Sequence, residues 1–188
     1  MATREALRPG GRSARVQESV HKAVHALVAE QGREALAVPL IAARAGVTPS
    51  TIYRRWGDMP GLLADVALER MRPDTGPADT GSLRSDLEAW TEQYLEEMSS
   101  VPGRTMLRDV LVAADGQRSA CQCAGITLDQ LQTLLDRAAA RGEAAPPANL
   151  LLDRIVAPIA YRILFGDAAT PLPDSRALVA AALLPAAQ

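Results

Sequence analysis

The stretch V-P-L-I-A-A-R-A-G-V-T-P-S-T-I-Y-R-R-W, residues 38–56, predicts two short helices joined by a tight turn. Gly46 follows the first helix, where the lack of a Cβ allows a positive φ. Thr48 is placed to cap the second helix, and Pro49 occupies its first position, where a missing N–H costs nothing. Two helices connected in this way form a helix-turn-helix, whose second helix enters the major groove of DNA.

The second helix of this motif divides into an inward and an outward face. At about 100° per residue, Ile52 and Trp56 point inward together. The outward row consists of Ser50, Thr51, Tyr53 and Arg54. Short hydroxyl groups and an arginine suit base edges and phosphates. The alternative is a pair of packed surface helices that bind no nucleic acid.

Residues 42–63, A-A-R-A-G-V-T-P-S-T-I-Y-R-R-W-G-D-M-P-G-L-L, resemble the signature of the TetR family of bacterial transcriptional repressors. The resemblance is strong over about Ala14–Ala67 and only architectural beyond it. It implies DNA contacts by Tyr53, usually on a phosphate, and by its neighbours on the same helix. With the adjacent Arg55 included, the expected contact residues there are Thr48, Pro49, Ser50, Thr51, Tyr53, Arg54 and Arg55.

Two positions depart from the family pattern. Ala37 stands where many relatives have a threonine that caps the first helix of the motif and touches a phosphate. Met59 stands where a lysine commonly binds phosphate. Loss of both contacts is expected to weaken DNA binding and to flatten its salt dependence.

Charge is divided unevenly along the chain. Residues 1–60 contain nine Lys/Arg and five Asp/Glu, a net charge of +4, whereas residues 61–188 contain eleven and seventeen, a net charge of −6. A basic N-terminal part favours phosphate binding. The arginines between Arg4 and Arg15, with Arg12 and Arg15 as the expected DNA contacts, are either an arm that follows the DNA or a tail that only adds solubility.

Composition favours helices, since 48% of the 188 residues are hydrophobic but only 3% are aromatic, which leaves Ala, Leu and Val to fill the core. The pattern predicts an all-α fold of about nine helices. Three form an N-terminal helix-turn-helix domain, residues 1–57, and the others a C-terminal ligand-binding and dimerisation domain, residues 58–188. The seventh is expected from about Gln117 to Arg141, with a break at Gly125 as one alternative.

Several classes of protein are not expected. No run approaches 18 apolar residues and no charged-then-apolar leader is present, which predicts a cytoplasmic protein without membrane contact. No nucleophile elbow, phosphate loop, dinucleotide fingerprint or HExxH motif occurs, so neither an enzyme nor a cofactor is expected. His21 and His25 are spaced to bind zinc with Glu18, but we expect no metal. Cys121 and Cys123 are either a thiol sensor or small packing residues.

The eighth predicted helix, from about Asn149 to Phe165, is apolar nearly all round and needs partners on every side. Few predicted helices remain to enclose it, so a second copy of the chain is the expected cover; a core helix in a monomer is the alternative. The resemblance implies the same dimer, built by the last two long helices. The expected interface consists of Leu152, Ile155, Val156, Ile159, Ile163, Leu178, Val179 and Ala182. A two-fold dimer would hold two recognition helices about 34–36 Å apart, over a pseudo-palindromic operator.

The resemblance also implies a small-molecule pocket among helices five to eight, whose ligand shifts the fourth helix. A ligand does this only if it prefers one arrangement of the protein. The expected lining is Trp90, Tyr94, Met98, Met106 and Tyr161, with plain core packing as the alternative for each. Glu88, Glu92 and Glu96 share a helix face, which either attracts a cation or is solvated.

These features predict a homodimeric repressor that binds an operator and is released by a small molecule. An activator, a ligand-blind DNA binder and a helical protein that binds no DNA, only small molecules or partner helices, are the alternatives.

Overall fold

The computed structural model describes residues 11–72, 75–113, 116–167 and 171–184, and every regular element in these ranges is helical. The first seven helices are α1 (Arg12–Gln31), α2 (Val38–Ala45), α3 (Pro49–Trp56), α4 (Met59–Arg70), α5 (Leu83–Ser99), α6 (Val101–Val112) and α7 (Gly116–Ala140). The eighth, α8, consists of Ala148–Leu151, the π-helical turn Leu152–Val156 and Ala157–Phe165, and α9 is Ser175–Ala182. The predicted all-α fold is confirmed, and α7 passes through Gly125 without a break.

The described helices belong to two compact units, Met1–Val66 and Ala67–Gln188. The core of the first unit is formed by α1, α2, α3 and the first part of α4. Its fully buried members include Val20, Ile41, Ala42, Ile52 and Leu62. Because Leu62 and Val66 pack into this core, the first unit continues beyond residue 57, where the sequence pattern had suggested a boundary.

The turn between α2 and α3 has the predicted conformation. Gly46 is left-handed, with φ 69° and ψ 31°, and the N–H of Val47 donates to the carbonyl of Ala42 at 3.0 Å. Ala42 and Ile52 are fully buried, so α2 and α3 approach closely through small and apolar side chains. The motif therefore holds α3 at a fixed position on the first unit.

Gly46→Ala should lower the free energy of unfolding of the first unit by about 1–2 kcal/mol, the cost of a left-handed L-residue. A Cβ at Gly46 would meet no atom within 4 Å, so the whole effect comes from the backbone. Gly125→Ala is the matched control, because a Cβ there also meets nothing within 4 Å but the residue is helical; it should stabilise the protein by up to about 1 kcal/mol. Urea unfolding followed by circular dichroism measures both, and two shifts of the same sign would contradict this explanation.

The second unit encloses α8 with its own helices. α8 contacts α5, α6, α7 and α9 of the same chain, so the expectation that too few helices remain to cover it is wrong. The predicted dimer residues Ile155, Val156, Ile159, Ile163, Val179 and Ala182 are all buried in this core, and Leu152 and Leu178 pack against it half-buried. The six buried residues are therefore core residues of the protomer, whereas Leu152 and Leu178 keep part of their surface accessible.

The π-helical turn of α8 has a local cause. Pro158 has no N–H, and its ring would clash with the carbonyl four residues earlier in a regular α-helix. The preceding N–H, that of Ala157, donates to the carbonyl of Leu152, five residues back. The wider turn relieves the clash, as is typical of single π turns inside α-helices.

A charged network anchors the segment before α5 to the end of α7. The guanidinium of Arg141 donates to Asp86 Oδ2 at 2.7 Å and pairs with Asp79 and Glu143. Burial acts to raise the pKa of the Asp86 carboxyl, but hydrogen bonds from Thr80 and from Arg141 outweigh it and leave the pKa below its ordinary value.

Candidate nucleic-acid interface and ligand cavity

The outward row of α3 is accessible on the first unit. Tyr53 is 51% exposed, Pro49, Ser50 and Arg54 are exposed, and Thr51 is half-buried. Among the described residues, the guanidinium of Arg54 and the hydroxyl of Tyr53 have no hydrogen-bond or ion-pair partner. Both groups can therefore bind an external acceptor without breaking an internal contact.

The three hydroxyl side chains at the start of α3 bond to one another. Thr48 Oγ1 lies 2.9 Å from Ser50 Oγ and 3.0 Å from Thr51 Oγ1. Thr48 occupies the predicted cap position, but its side chain accepts no backbone N–H, so the predicted side-chain cap is wrong. The hydroxyl cluster lies at the end of α3 where free N–H groups attract anions.

Arg55 was expected to contact DNA, but its guanidinium is engaged by α1. It donates to the carbonyl and the hydroxyl of Ser13, and to Gln17 Oε1. It also lies over the ring of Trp56, 5.2 Å from the centroid. Arg55 therefore positions α3 against α1; it is also exposed, and its contact with DNA stays a prediction.

A single carboxylate joins three helices, α1, α3 and α4. Asp65 Oδ2, on α4, accepts hydrogen bonds from Trp56 Nε1 at 2.7 Å and from Gln17 Nε2 at 2.9 Å, and it lies 2.9 Å from His21 Nε2. Trp56 ends α3, whereas Gln17 and His21 lie on α1. Asp65 is thus the residue that ties α4 to the recognition helix, and the sequence interpretation missed it.

The charge of Asp65 is favoured by its partners. Burial acts to raise the pKa of this carboxyl, but the hydrogen bonds from His21 and Trp56, with nearby positive charge, outweigh it and leave the pKa below its ordinary value. Because the pKa is lower in the folded state than in the unfolded state, the ionised carboxylate stabilises the fold at every pH above the unfolded-state pKa. This stabilisation is lost as the pH falls through the folded-state pKa.

Asp65→Asn should therefore lower the free energy of unfolding of the first unit at pH 7 and flatten its decline below about pH 4, where an unfolded aspartate titrates. Urea unfolding between pH 7 and pH 3 measures both effects. The matched control is Asp153→Asn, since Asp153 is exposed and has no bonded partner among the described residues. Equal slopes for Asp65→Asn and the parent protein would contradict the role given to this carboxylate.

The structure also bears on the predictions for Arg12, Arg15, Ala37 and Met59. Arg12 and Arg15 lie in α1 rather than in an extended arm, although the side chain of Arg12, like residues 1–10 with Arg4 and Arg8, is outside the described part. Ala37 precedes α2 without a side-chain cap, as its identity requires. Met59 packs half-buried against the first core, so an apolar contact replaces the phosphate-binding lysine expected at this position.

The histidines are not arranged as a metal site in the structure. His21 is 2% exposed and bound to Asp65, whereas Glu18 pairs with Lys22 at 2.6 Å. No three His, Cys, Asp or Glu side chains of the described ranges come together as metal ligands. The histidine spacing on α1 therefore reflects a hydrogen-bonding role for His21.

The second unit contains a cavity of about 350 Å³. Four of the predicted ligand-binding residues, Trp90, Tyr94, Met98 and Met106, line it. Tyr161 does not: it is 65% exposed and lies against Phe165, with ring centroids 5.1 Å apart. Its assignment to the pocket is therefore wrong, because it lies on the outer side of α8.

Two further groups of the second unit were considered as sites, the row of glutamates on α5 and the thiol of Cys123. Glu92 and Glu96 are exposed, and Glu88 is 3.9 Å from Arg84, so this row of carboxylates is a solvated face. Burial raises the pKa of the Cys123 thiol to about 11, and its S–H contacts the sulfur of Met71 at 3.4 Å. Cys123 is consequently a packing residue rather than a reactive thiol.

Within the ranges that the structure describes, none of the helices combines the length and the apolar character needed to cross a lipid bilayer.

Comparison with known proteins finds two matching family profiles. The profile described as bacterial regulatory proteins, tetR family, matches residues 22–66, and the profile described as tetracyclin repressor-like, C-terminal domain, matches residues 77–182. Together they cover both units.

Individual proteins are similar over different lengths. The HTH-type transcriptional regulator AqdR of Rhodococcus erythropolis is 34% identical over 104 residues, 55% of this chain and 50% of that protein. The regulator YdeS of Bacillus subtilis, itself uncharacterised, is 28% identical over 80% of this chain and 81% of its own. The chain thus spans about half the length of AqdR.

A solved structure shares the fold. The repressor FadR of Thermus thermophilus, in complex with lauroyl-CoA, has a TM-score of 0.60 and 15% sequence identity, covering 89% of this chain and 91% of its own. At this identity the likeness concerns the fold alone.

Proposed function

Because the chain belongs to the TetR family of bacterial transcriptional regulators, we propose that it is a repressor that binds an operator as a homodimer and is released by a small molecule. The observation that supports this function most directly is the outward row of α3. Arg54 and the Tyr53 hydroxyl are accessible and have no partner among the described residues. Such groups on the second helix of a helix-turn-helix are suited to phosphates and base edges.

The proposed dimer uses the outer side of α8. Ala157, Tyr161 and Phe165 follow one another at intervals of four residues and are all exposed, which places them on one face. Tyr161 is 65% and Phe165 is 72% exposed, in a chain with only six aromatic residues. A second copy is the occupant we assign to this face, since an operator-binding regulator presents two recognition helices through a two-fold axis.

The proposed release mechanism acts through α4. This helix contains Asp65, which holds Trp56 of α3, and Arg70, which lines the cavity of the second unit. A ligand that prefers one position of Arg70 would bias the position of α4, and the linkage requires DNA binding to weaken ligand binding by the same factor. FadR, a TetR-family repressor with the same fold, was solved in complex with lauroyl-CoA, which supports the proposal that this chain too responds to a small molecule.

Genomic footprinting with the purified full chain, combined with a gel shift on DNA flanking its own coding sequence, tests the function. We expect protection of an inverted repeat and an affinity for it about 1,000-fold or more above that for a scrambled duplex. Equal affinity for both duplexes, at several salt concentrations, would support the alternative of a helical protein that binds no specific DNA.

A further inference from the structure

One side of the cavity of the second unit is lined by a stacked pair of aromatic rings. Trp90 and Tyr94 stack with ring centroids 5.1 Å apart and an interplanar angle of 20°. Trp90 is held in place by a hydrogen bond from Nε1 to Gln130 Oε1 at 2.7 Å. Met71, Met98 and Met106 supply the remaining apolar lining, and methionine makes favourable contacts with aromatic rings. This lining suits a planar, apolar group.

The same cavity is lined by two free cations. Arg70 and Arg72 are exposed, and neither side chain has a hydrogen-bond or ion-pair partner in the part of the chain that the structure describes. Arg137, by contrast, is already bound to the carbonyl of Pro77 at 2.6 Å. Residues 61–188 have an excess of acidic residues, yet among the described residues no carboxylate pairs with either of these guanidinium groups.

The other polar groups of the cavity include further donors. The hydroxyl of Tyr94 has no partner among the described residues, and burial raises the pKa of this phenol above its ordinary value, so that the hydroxyl stays protonated. Among the described lining residues the one carboxylate is that of Glu97, which accepts a hydrogen bond from Gln93 Nε2 at 2.8 Å. With two arginines against one glutamate, the ionised groups of the described lining have a net charge of +1.

We propose that this cavity binds a planar aromatic carboxylate, whose ring packs against the stacked Trp90–Tyr94 pair and whose carboxylate binds Arg70 and Arg72. The proposal rests on the proposed function, in which this cavity is the effector site, and specifies the chemistry of the effector. Guanidinium groups match carboxylates through paired, charge-assisted hydrogen bonds. A volume of about 350 Å³ is at the small end of the range for small-molecule sites, about 300–1,000 Å³.

Isothermal titration calorimetry of the full chain without DNA tests the proposal with three probes of one shape. These are 2-naphthoate, the neutral 2-naphthamide and the cationic 2-naphthylmethylammonium. We expect 2-naphthoate to bind about 10-fold more tightly than 2-naphthamide, the size of effect that a charge-assisted hydrogen bond gives. The ammonium probe should bind most weakly.

Variants test whether Arg70 and Arg72 cause the preference for the carboxylate probe. Arg70→Gln combined with Arg72→Gln should remove the advantage of 2-naphthoate and leave the affinity for 2-naphthamide unchanged. Glu97→Gln should strengthen 2-naphthoate binding. Arg108→Gln is the matched control, because it removes an exposed positive charge that does not line the cavity, and it should change neither affinity. Equal binding of the three probes, binding of none, or an unchanged preference in the double variant would overturn the proposal.

Gel shifts with 2-naphthoate and with 2-naphthamide test the proposed ligand class and the proposed release mechanism separately. Carboxylate-selective binding that does not alter operator affinity would contradict the release mechanism and leave the ligand class in place. Release by 2-naphthamide but not by 2-naphthoate would overturn the ligand class and support the release mechanism.

Discussion

Arg54→Ala and Tyr53→Ala should each abolish operator binding at protein concentrations that saturate the operator with the parent protein. One lost contact of this kind costs about 1–3 kcal/mol, and a two-fold dimer loses it twice, so the expected loss is about 2–6 kcal/mol. The substituted side chains are exposed and have no hydrogen-bond or ion-pair partner among the described residues, so the fold should be unaffected. Gel shifts, with circular dichroism and sedimentation on the same samples, measure binding, folding and assembly separately.

The matched control for Arg54→Ala is Arg108→Ala, which removes the same charge from an exposed position of α6. It should reduce operator affinity by less than about 3-fold, since Arg108 is not among the proposed DNA contacts and salt screens the charge of an exposed side chain. Parent-like binding by Arg54→Ala would contradict the assignment of α3 as the recognition helix. So would an equal loss in the Arg108→Ala variant, because the effect would then reflect net charge rather than contact.

The salt dependence separates two roles for Arg54. If its guanidinium binds a phosphate, Arg54→Ala should weaken binding to all sequences and reduce the slope of log affinity against log salt by about 1 per subunit. If it binds a base edge, the slope should change little and specificity at one operator position should relax. Arg55→Ala should act differently from both, because Arg55 binds Ser13 and Gln17 of α1 and its loss should lower stability first.

The helix-turn-helix could be predicted from the sequence because its determinants are local. A left-handed Gly46, a proline at the start of α3 and the inward Ile52 are each set by neighbouring residues. Asp65 could not be found in this way. Its role depends on Trp56 and on residues of α1 that are far from it in sequence, and no spacing rule links them. One of these distant partners, His21, was considered in the sequence interpretation only as a zinc ligand.

The ligand cavity was predicted in part for the same reason. Trp90, Tyr94 and Met98 lie at intervals of four on one face of α5, so their common lining position follows from helix geometry. Arg70 and Arg72 belong to the end of α4 and the segment after it, and sequence periodicity does not show that they join α5 at one cavity. That a charged side chain of one helix lines a cavity beside another helix can be seen only in the folded structure.

The error on α8 concerned which side of the helix is covered. Apolar residues on all sides indicated that α8 needs partners, but they did not distinguish the protomer's own helices from a second copy. The structure makes the distinction through exposure. Ile155, Ile159 and Ile163 face the core, whereas Tyr161 and Phe165 are exposed. Each aromatic residue follows a buried isoleucine by two positions, which places it about 200° further around the helix.

Phe165→Glu combined with Tyr161→Glu should therefore convert the proposed dimer into a folded monomer. The two-fold axis presents each new carboxylate twice, so that four like charges would have to be buried in an apolar contact, at a cost that exceeds their mutual interactions. We expect the dimer dissociation constant to rise at least about 100-fold, or about 2.7 kcal/mol. Operator affinity should fall with it, because a monomer binds only one half-site. Analytical ultracentrifugation, circular dichroism and a gel shift measure the three quantities.

Two further variants make this test specific. Val101→Glu is the matched control, since Val101 is 81% exposed on α6 and is not part of the proposed face; it should leave a dimer that binds the operator. Ile159→Glu distinguishes the two assignments of α8, because Ile159 is fully buried in the protomer core. A carboxylate there has no partner and should unfold the second unit, with loss of helical signal, whereas the Tyr161 and Phe165 variant should keep it. A folded monomer from Ile159→Glu, or an intact dimer from the double variant, would show that the buried row and not the aromatic pair binds the second copy.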